Sequence, residues 1–179
     1  MTVHEILVGV ARDFLWSQKC VVVLTEAKTG NGAEIPDAIG WRSRQSPRGV
    51  EWECLLVECK ASRSDFAADR EKRERIGKGM AGLRYYLTPS DLHVEGCEIP
   101  QAWGWLVLGP HNDLRVVKPA TPVDGDAAEE RALLISACRH LASAHQGVVT
   151  CRAYRVGNTG AATIGVDSQA VGLPVGVPT

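Results

Sequence analysis

Missing from this 179-residue chain are a CxxC pair and any run of about 18 apolar residues. The second absence leaves nothing that reads as a membrane-spanning helix. The N-terminal stretch MTVHEILVGVARDFLW has Glu5, Arg12 and Asp13 among its apolar residues and no basic segment ahead of them. It does not read as a secretory leader either, and a cytoplasmic location without membrane association is expected. The six cysteines lack zinc-ligand spacing, and Cys138, His140 and His145 do not make a tetrahedral site. Cys20, Cys54 and Cys59 fall inside apolar, strand-like runs, which suits buried thiols that pack as small hydrophobes. No internal repeat, nucleophile–base pair or cofactor loop is legible. Gly77–Gly82 formally spells GxGxxG, but it ends a charged helix and leads into a strand, the reverse of a dinucleotide site.

What is present begins with charge. The net charge of −1 hides an asymmetry: residues 42–84 hold eleven Lys/Arg against seven Asp/Glu, the remainder nine against fourteen. A basic middle in a near-neutral chain suits an anionic partner at one face, and equally a solvated charged helix. Arg42, Arg44 and Arg48, with Arg70, Lys72, Arg73, Arg75 and Lys78, are the candidates for gripping phosphates; interleaved Asp69, Glu71 and Glu74 also suit i,i+4 pairs on an exposed helix.

Periodicity predicts an amphipathic helix over 2–17, with Val3, Ile6, Leu7, Val10, Phe14 and Leu15 on one face and Thr2 as cap, followed three residues on by Glu5. A short buried strand is expected at Cys20–Thr25, a turn at 29–32, a second strand at 33–41, and a polar loop at 42–49. Val50–Lys60 is the longest strand signal. A helix from Ser62 to Lys78 follows, then strands at 83–87, 103–108 and 114–117. Trp103 and Trp105, two apart, share a face that should be the core-facing one. Ala127–Ala144 is a second amphipathic helix, with Leu133, Leu134, Ala137, Leu141 and Ala144 aligned, and from Gly157 the composition reads as a flexible tail. Helix, three strands, crossover helix and further strands make an α/β fold with a mixed β-sheet flanked by helices. The expected division is a domain over 1–120, a helical appendage over 121–156 and a tail over 157–179.

Strand residues alternate faces, so Glu58 and Lys60 share one face at the apolar end of Val50–Lys60. Two charges there are costly unless compensated; Glu58 and Lys60 can compensate each other in part, and a divalent cation would do more for Glu58. Pairing the second strand antiparallel with this one, with Asp37 opposite Glu58, centres the hairpin between Pro47 and Arg48, inside the loop that composition marks. Strands about 4.8 Å apart let both carboxylates reach one Mg²⁺ or Mn²⁺, with the Cys59 carbonyl as a further ligand. Such a site suits phosphodiester hydrolysis, with Lys60 orienting the attacking water and meeting charge on phosphorus.

Ile35-Pro36-Asp37 followed by Val57-Glu58-Cys59-Lys60 resembles the PD…(D/E)xK signature of the restriction-endonuclease-like superfamily. The stretch ECKASRSDFAAD (58–69) is similar, more narrowly, to bacterial and phage proteins of the MmcB type in DNA repair. The resemblance covers residues 1–118. It implies a restriction-endonuclease-like core and a Mg²⁺-dependent DNA nuclease in repair, recombination or a phage-related process, with RNA as the other substrate to test. It also implies Asp37 and Glu58 as metal ligands, Lys60 as catalytic lysine and an added ligand from Glu5 or Glu26. Homodimerisation, with helix 127–144 as one candidate contact, belongs to the same expectation. The alternative is a catalytically silent protein of this fold that binds nucleic acid or serves in an assembly.

Overall fold

The structure, a computed structural model, describes residues 1–28, 35–47, 49–71 and 79–144. In chain order its elements are α1 (Val3–Ser17), β1 (Val22–Thr25), β2 (Ala38–Ser46), β3 (Gly49–Cys59), α2 (Arg63–Glu71), β4 (Leu83–Pro89), β5 (Gly104–Leu108), β6 (Leu114–Lys118) and α3 (Ala127–Ala144), with a 3₁₀ turn at Gly96–Glu98. The six strands form one mixed sheet in the order β1-β2-β3-β4-β5-β6. The β3–β4 and β4–β5 pairs are parallel and the others antiparallel. The α/β architecture with helices on a mixed sheet is thus the one the element order implied. Among the described residues no helix is long and apolar enough to cross a membrane.

Each face of the sheet carries its own core. Leu7, Ala11, Phe14 and Leu15 of α1 pack on Leu55, Val57 and Cys59 of β3 and on Tyr85 and Leu87 of β4. On the opposite face Cys54 and Leu56 of β3 meet Ile39 and Trp41 of β2, Phe66 of α2, Tyr86 of β4, and Trp103. The odd and even residues of β3 therefore serve different layers, as the two-residue period requires. Trp105 packs on the second layer as well, so both tryptophans face a core as their spacing implied.

Thr2 and Glu5 close the start of α1 reciprocally: the Glu5 N–H donates to Thr2 Oγ1 at 3.2 Å and the Thr2 N–H to Glu5 Oε2 at 2.7 Å. Ser62 performs the same service for α2, its Oγ accepting the Asp65 N–H at 3.2 Å.

Three local expectations are corrected. Residues 42–46, read as loop, extend β2, because Arg42 pairs across to Glu53 on the next strand, Nη2 to Oε2 at 2.6 Å. The ladder runs on to Ser46 and Gly49, with Gly49 at φ 115°, a left-handed conformation that costs glycine little. The strand read as buried at Cys20–Thr25 is the sheet's edge, and Val22 is 37% exposed. Helix α3, expected in an appendage, inserts Leu133 into the second core with no exposed surface. Its Glu130 accepts the Trp41 indole N–H at 3.1 Å and the Ala81 N–H at 3.1 Å. Residues 29–32, most of the expected continuation of α2 to Lys78, and the tail from Gly157 lie outside the described residues.

Candidate active site

The β2–β3 ladder runs Ala38↔Val57 to Ser46↔Gly49. One further step of the same register sets Asp37 across from Glu58, the pairing obtained by counting along the sequence. Glu58 follows Leu56 by two, so the pleat assigns it to the face that carries α2 and α3; Asp37 lies just outside β2, and its carboxylate meets the Cys59 N–H and His4 of α1.

Asp37 stands just before β2 begins, and this explains its first contact. The Lys60 N–H donates to Leu87 O on β4 at 2.9 Å, so the preceding N–H, that of Cys59, points the other way, toward β2. There the ladder has ended, and the Asp37 carboxylate takes the place of the missing backbone acceptor, with Oδ2 2.7 Å from Cys59 N. In an antiparallel ladder a residue's N–H and C=O point the same way, which turns the Cys59 carbonyl toward Asp37 as well. The second oxygen, Oδ1, lies 3.6 Å from His4 Nε2, and that nitrogen lies 3.9 Å from Glu26 Oε1.

Lys60 is buried, with 5% of its surface exposed. Its Nζ lies 3.0 Å from Asp69 Oδ2 and 3.5 Å from Glu58 Oε2, and 5.9 Å from the centre of the Tyr86 ring. The Tyr86 hydroxyl donates to the same Asp69 oxygen at 3.3 Å. The expected Glu58–Lys60 neighbourhood is therefore present. Asp69 and Tyr86 are partners that sequence reading did not single out. Asp69 lies three residues beyond the buried Phe66, on the inward stripe of α2, and that spacing was the available signal.

Burial pushes the Asp37 carboxyl above the usual carboxylate range; the Cys59 N–H, His4 and Lys60 offset only part of this, and Asp65 adds to it. Burial alone would pull the Lys60 ammonium down, but Glu58 and Asp69, with Asp65 adding, hold it above its usual value. Lys60 is thus a charged donor at neutral pH and not a general base. Carboxylates outnumber cations among the described residues here: Asp37, Glu58, Asp65 and Asp69 against Lys60, with the His4 imidazole beside Asp37.

Does this set suit a divalent ion? Among the described residues no three or more His, Cys, Asp or Glu side chains gather closely enough to hold one unaided. Mg²⁺ commonly takes one or two carboxylates and completes its shell with water and phosphate oxygens. Asp37, Glu58 and the Cys59 carbonyl are hard oxygen donors of that kind, and the uncompensated burial of Asp37 is the electrostatic condition that a cation relieves. The residues fit. Of the two further acids considered, Glu5 is engaged in the α1 cap, whereas Glu26 lies beside His4 and its N–H donates to Asp37 O at 3.0 Å.

The candidate phosphate-gripping residues fare differently. Arg42 is paired with Glu53, and Arg44 lies 3.9 Å from the same carboxylate. Arg48 and residues 72–78 lie outside the described residues, and so does the side chain of Arg70. A cleft of about 470 Å³ where α2 begins is lined by Arg63, His93, Val94, Glu95 and Glu98. Its Arg63 is held by the Glu98 carboxylate and donates to His93 O at 3.0 Å.

No family model and no curated protein matches the chain. A solved structure of a protein of unknown function from Silicibacter pomeroyi is similar, with a TM-score of 0.51 at 21% identity over 78% of this chain and 86% of that one; the likeness is one of fold.

Proposed function

We propose that this chain is a metal-dependent nuclease that hydrolyses phosphodiester bonds of DNA, in repair, recombination or a phage-related process. Mg²⁺ or Mn²⁺ would be held by Asp37, Glu58 and the Cys59 carbonyl, and Lys60 is the catalytic cation. The observation that supports the reading is the β2–β3 register, which ends at Ala38↔Val57, one step short of Asp37 and Glu58, with the buried Lys60 ammonium 3.5 Å from the Glu58 carboxylate.

The bound ion would polarise a phosphoryl oxygen and lower the pKa of a water. The chain's own part is to place charge. The Cys59 N–H fixes one Asp37 oxygen and leaves the carboxylate at the end of the sheet, where a phosphate can approach. Lys60, held charged by its two carboxylates, would donate its remaining N–H to the attacking water, and its charge would offset the negative charge that builds on phosphorus. Because it stays protonated, it does not take the water's proton, which the metal-lowered pKa would let pass to bulk solvent.

The test is cleavage of linear, nicked and branched DNA with Mg²⁺ or Mn²⁺, beside EDTA and beside Glu58→Gln. The glutamine keeps an oxygen to accept from Lys60 and removes the charge that binds the ion. Cleavage that needs metal and is lost in Glu58→Gln supports the reading. Undiminished cleavage by the variant refutes the site, and DNA binding without cleavage under every metal favours the catalytically silent alternative.

A further inference from the structure

We propose that Asp69 is a positioning residue for this hydrolysis, acting through Lys60, and that Tyr86 in turn fixes Asp69. The inference rests on the nuclease reading of Lys60. Three elements converge on one carboxylate oxygen: Lys60 at the end of β3 at 3.0 Å, Tyr86 of β4 at 3.3 Å, and α2 supplying Asp69 itself. The Tyr86 ring has little freedom, since Trp103 stacks on it at 4.4 Å and Phe66 meets it edge-on at 5.4 Å.

An ammonium has three N–H vectors and rotates easily about its last bond. Asp69 and Glu58 take two directions on Lys60, which sets where the third points. For a lysine on a four-carbon stem, that is the difference between a cation somewhere in the site and a donor aimed at one position. A pair serving stability alone has no need of burial, because well-packed apolar residues do as well or better there. Yet Lys60 has only 6% of its side chain exposed and Asp69 only 17%.

The test uses the full chain with Asp69→Asn, Asp69→Leu and Tyr86→Phe. Asparagine keeps an oxygen for Lys60 and Tyr86, leucine fills the space without one, and phenylalanine keeps the packed ring. Values of kcat and KM are measured on DNA with Mn²⁺. The Lys60 ammonium is followed independently by ¹⁵N-edited NMR, its resonance assigned by its absence in Lys60→Arg. The wild type is expected to show a slowly exchanging ammonium signal that Asp69→Leu loses. The leucine variant should lose about 10²-fold in kcat, the cost of a misplaced catalytic group, with KM little changed. Asparagine should restore part of this, to about tenfold below wild type, since a neutral acceptor makes a weaker hydrogen bond than a charged one. If Asp69→Leu does not fold, the kcat of Asp69→Asn and Tyr86→Phe decides. Folded variants with wild-type kcat, or an ammonium signal unchanged in folded Asp69→Leu, overturn the proposal while leaving the nuclease reading intact. A wild type that never cuts overturns the nuclease reading, and this role with it, whatever the NMR signal shows.

Discussion

Replacing Asp37 by asparagine separates the structural use of this side chain from its electrostatic one. The Asn carbonyl oxygen can still accept the Cys59 N–H that Asp37 Oδ2 accepts at 2.7 Å, so the end of the ladder stays closed. What is lost is a charge that burial disfavours. An acid raised in the folded chain binds more protons folded than unfolded between its two pKa values. Stability therefore falls as pH climbs from the ordinary value of 3.8 through the raised one, and stays lowered above it. Asp37→Asn should accordingly melt higher than the wild type in EDTA at neutral pH, and the difference should vanish below pH 3.8. Divalent metal reverses the order. At a hundred times its dissociation constant an ion that binds only the folded chain adds about 2.7 kcal/mol. For a chain of this size that is about 5–11 °C in Tm. The wild type should gain it with Mn²⁺ and Asp37→Asn should gain almost none. Thermal melts of both proteins from pH 3 to 8, with EDTA or Mn²⁺, read every part of this. An equal metal shift in the two proteins refutes the placement of the ion. A lower Tm for the variant in EDTA refutes the electrostatic reasoning.

Lys60→Ala removes the cation that the half-buried Glu58 and Asp69 share and should lower stability, read by urea denaturation, by up to about 3 kcal/mol, as well as abolishing cleavage. Adding Asp69→Asn to it should recover part of that loss. Leu133→Ala should cost about 2–5 kcal/mol in a single cooperative transition, because α3 belongs to the same core as β2 and β4; a second, separate transition would show it to be an appendage after all. Burial raises the thiol of Cys20 to about 11, and those of Cys54 and Cys59 rise further for the same reason. These three should resist alkylation in the native chain while the exposed Cys97 and Cys138 react, as peptide mapping would record.

The β2–β3 register and the Glu58–Lys60 neighbourhood were legible because strand geometry is nearly arithmetic. The β2–β3 ladder, in which every paired position sums alike, ends one step short of Asp37 and Glu58, and Pro47 with Gly49 marked where it turns. Composition misled at residues 42–46, whose arginines and serines read as loop. Their strand state depends on Glu53 and Glu51 across the hairpin, where Arg42 and Ser46 find partners. Val22 shows the reverse error: a β-branched run signals a strand, but whether it is central or at an edge is decided by what lies beside it. Asp69 was hidden by its neighbours, since a helix dense in both signs offers every acid a local i,i+4 partner. Only the packing of Phe66 against Tyr86 turns Asp69 toward Lys60. The periodicity of α3 identified an apolar face without saying what would cover it: the second core takes Leu133 and Leu134, while Leu141 is 48% exposed.

The decisive measurement is a crystal structure of the protein soaked in Mn²⁺, with the ion located by its anomalous scattering. A peak within coordination distance of both the Asp37 and Glu58 carboxylates, about 2.0–2.6 Å from their oxygens, is the expected result. An ion bound elsewhere, or none at saturating Mn²⁺ in a protein that still cuts DNA, would contradict the site.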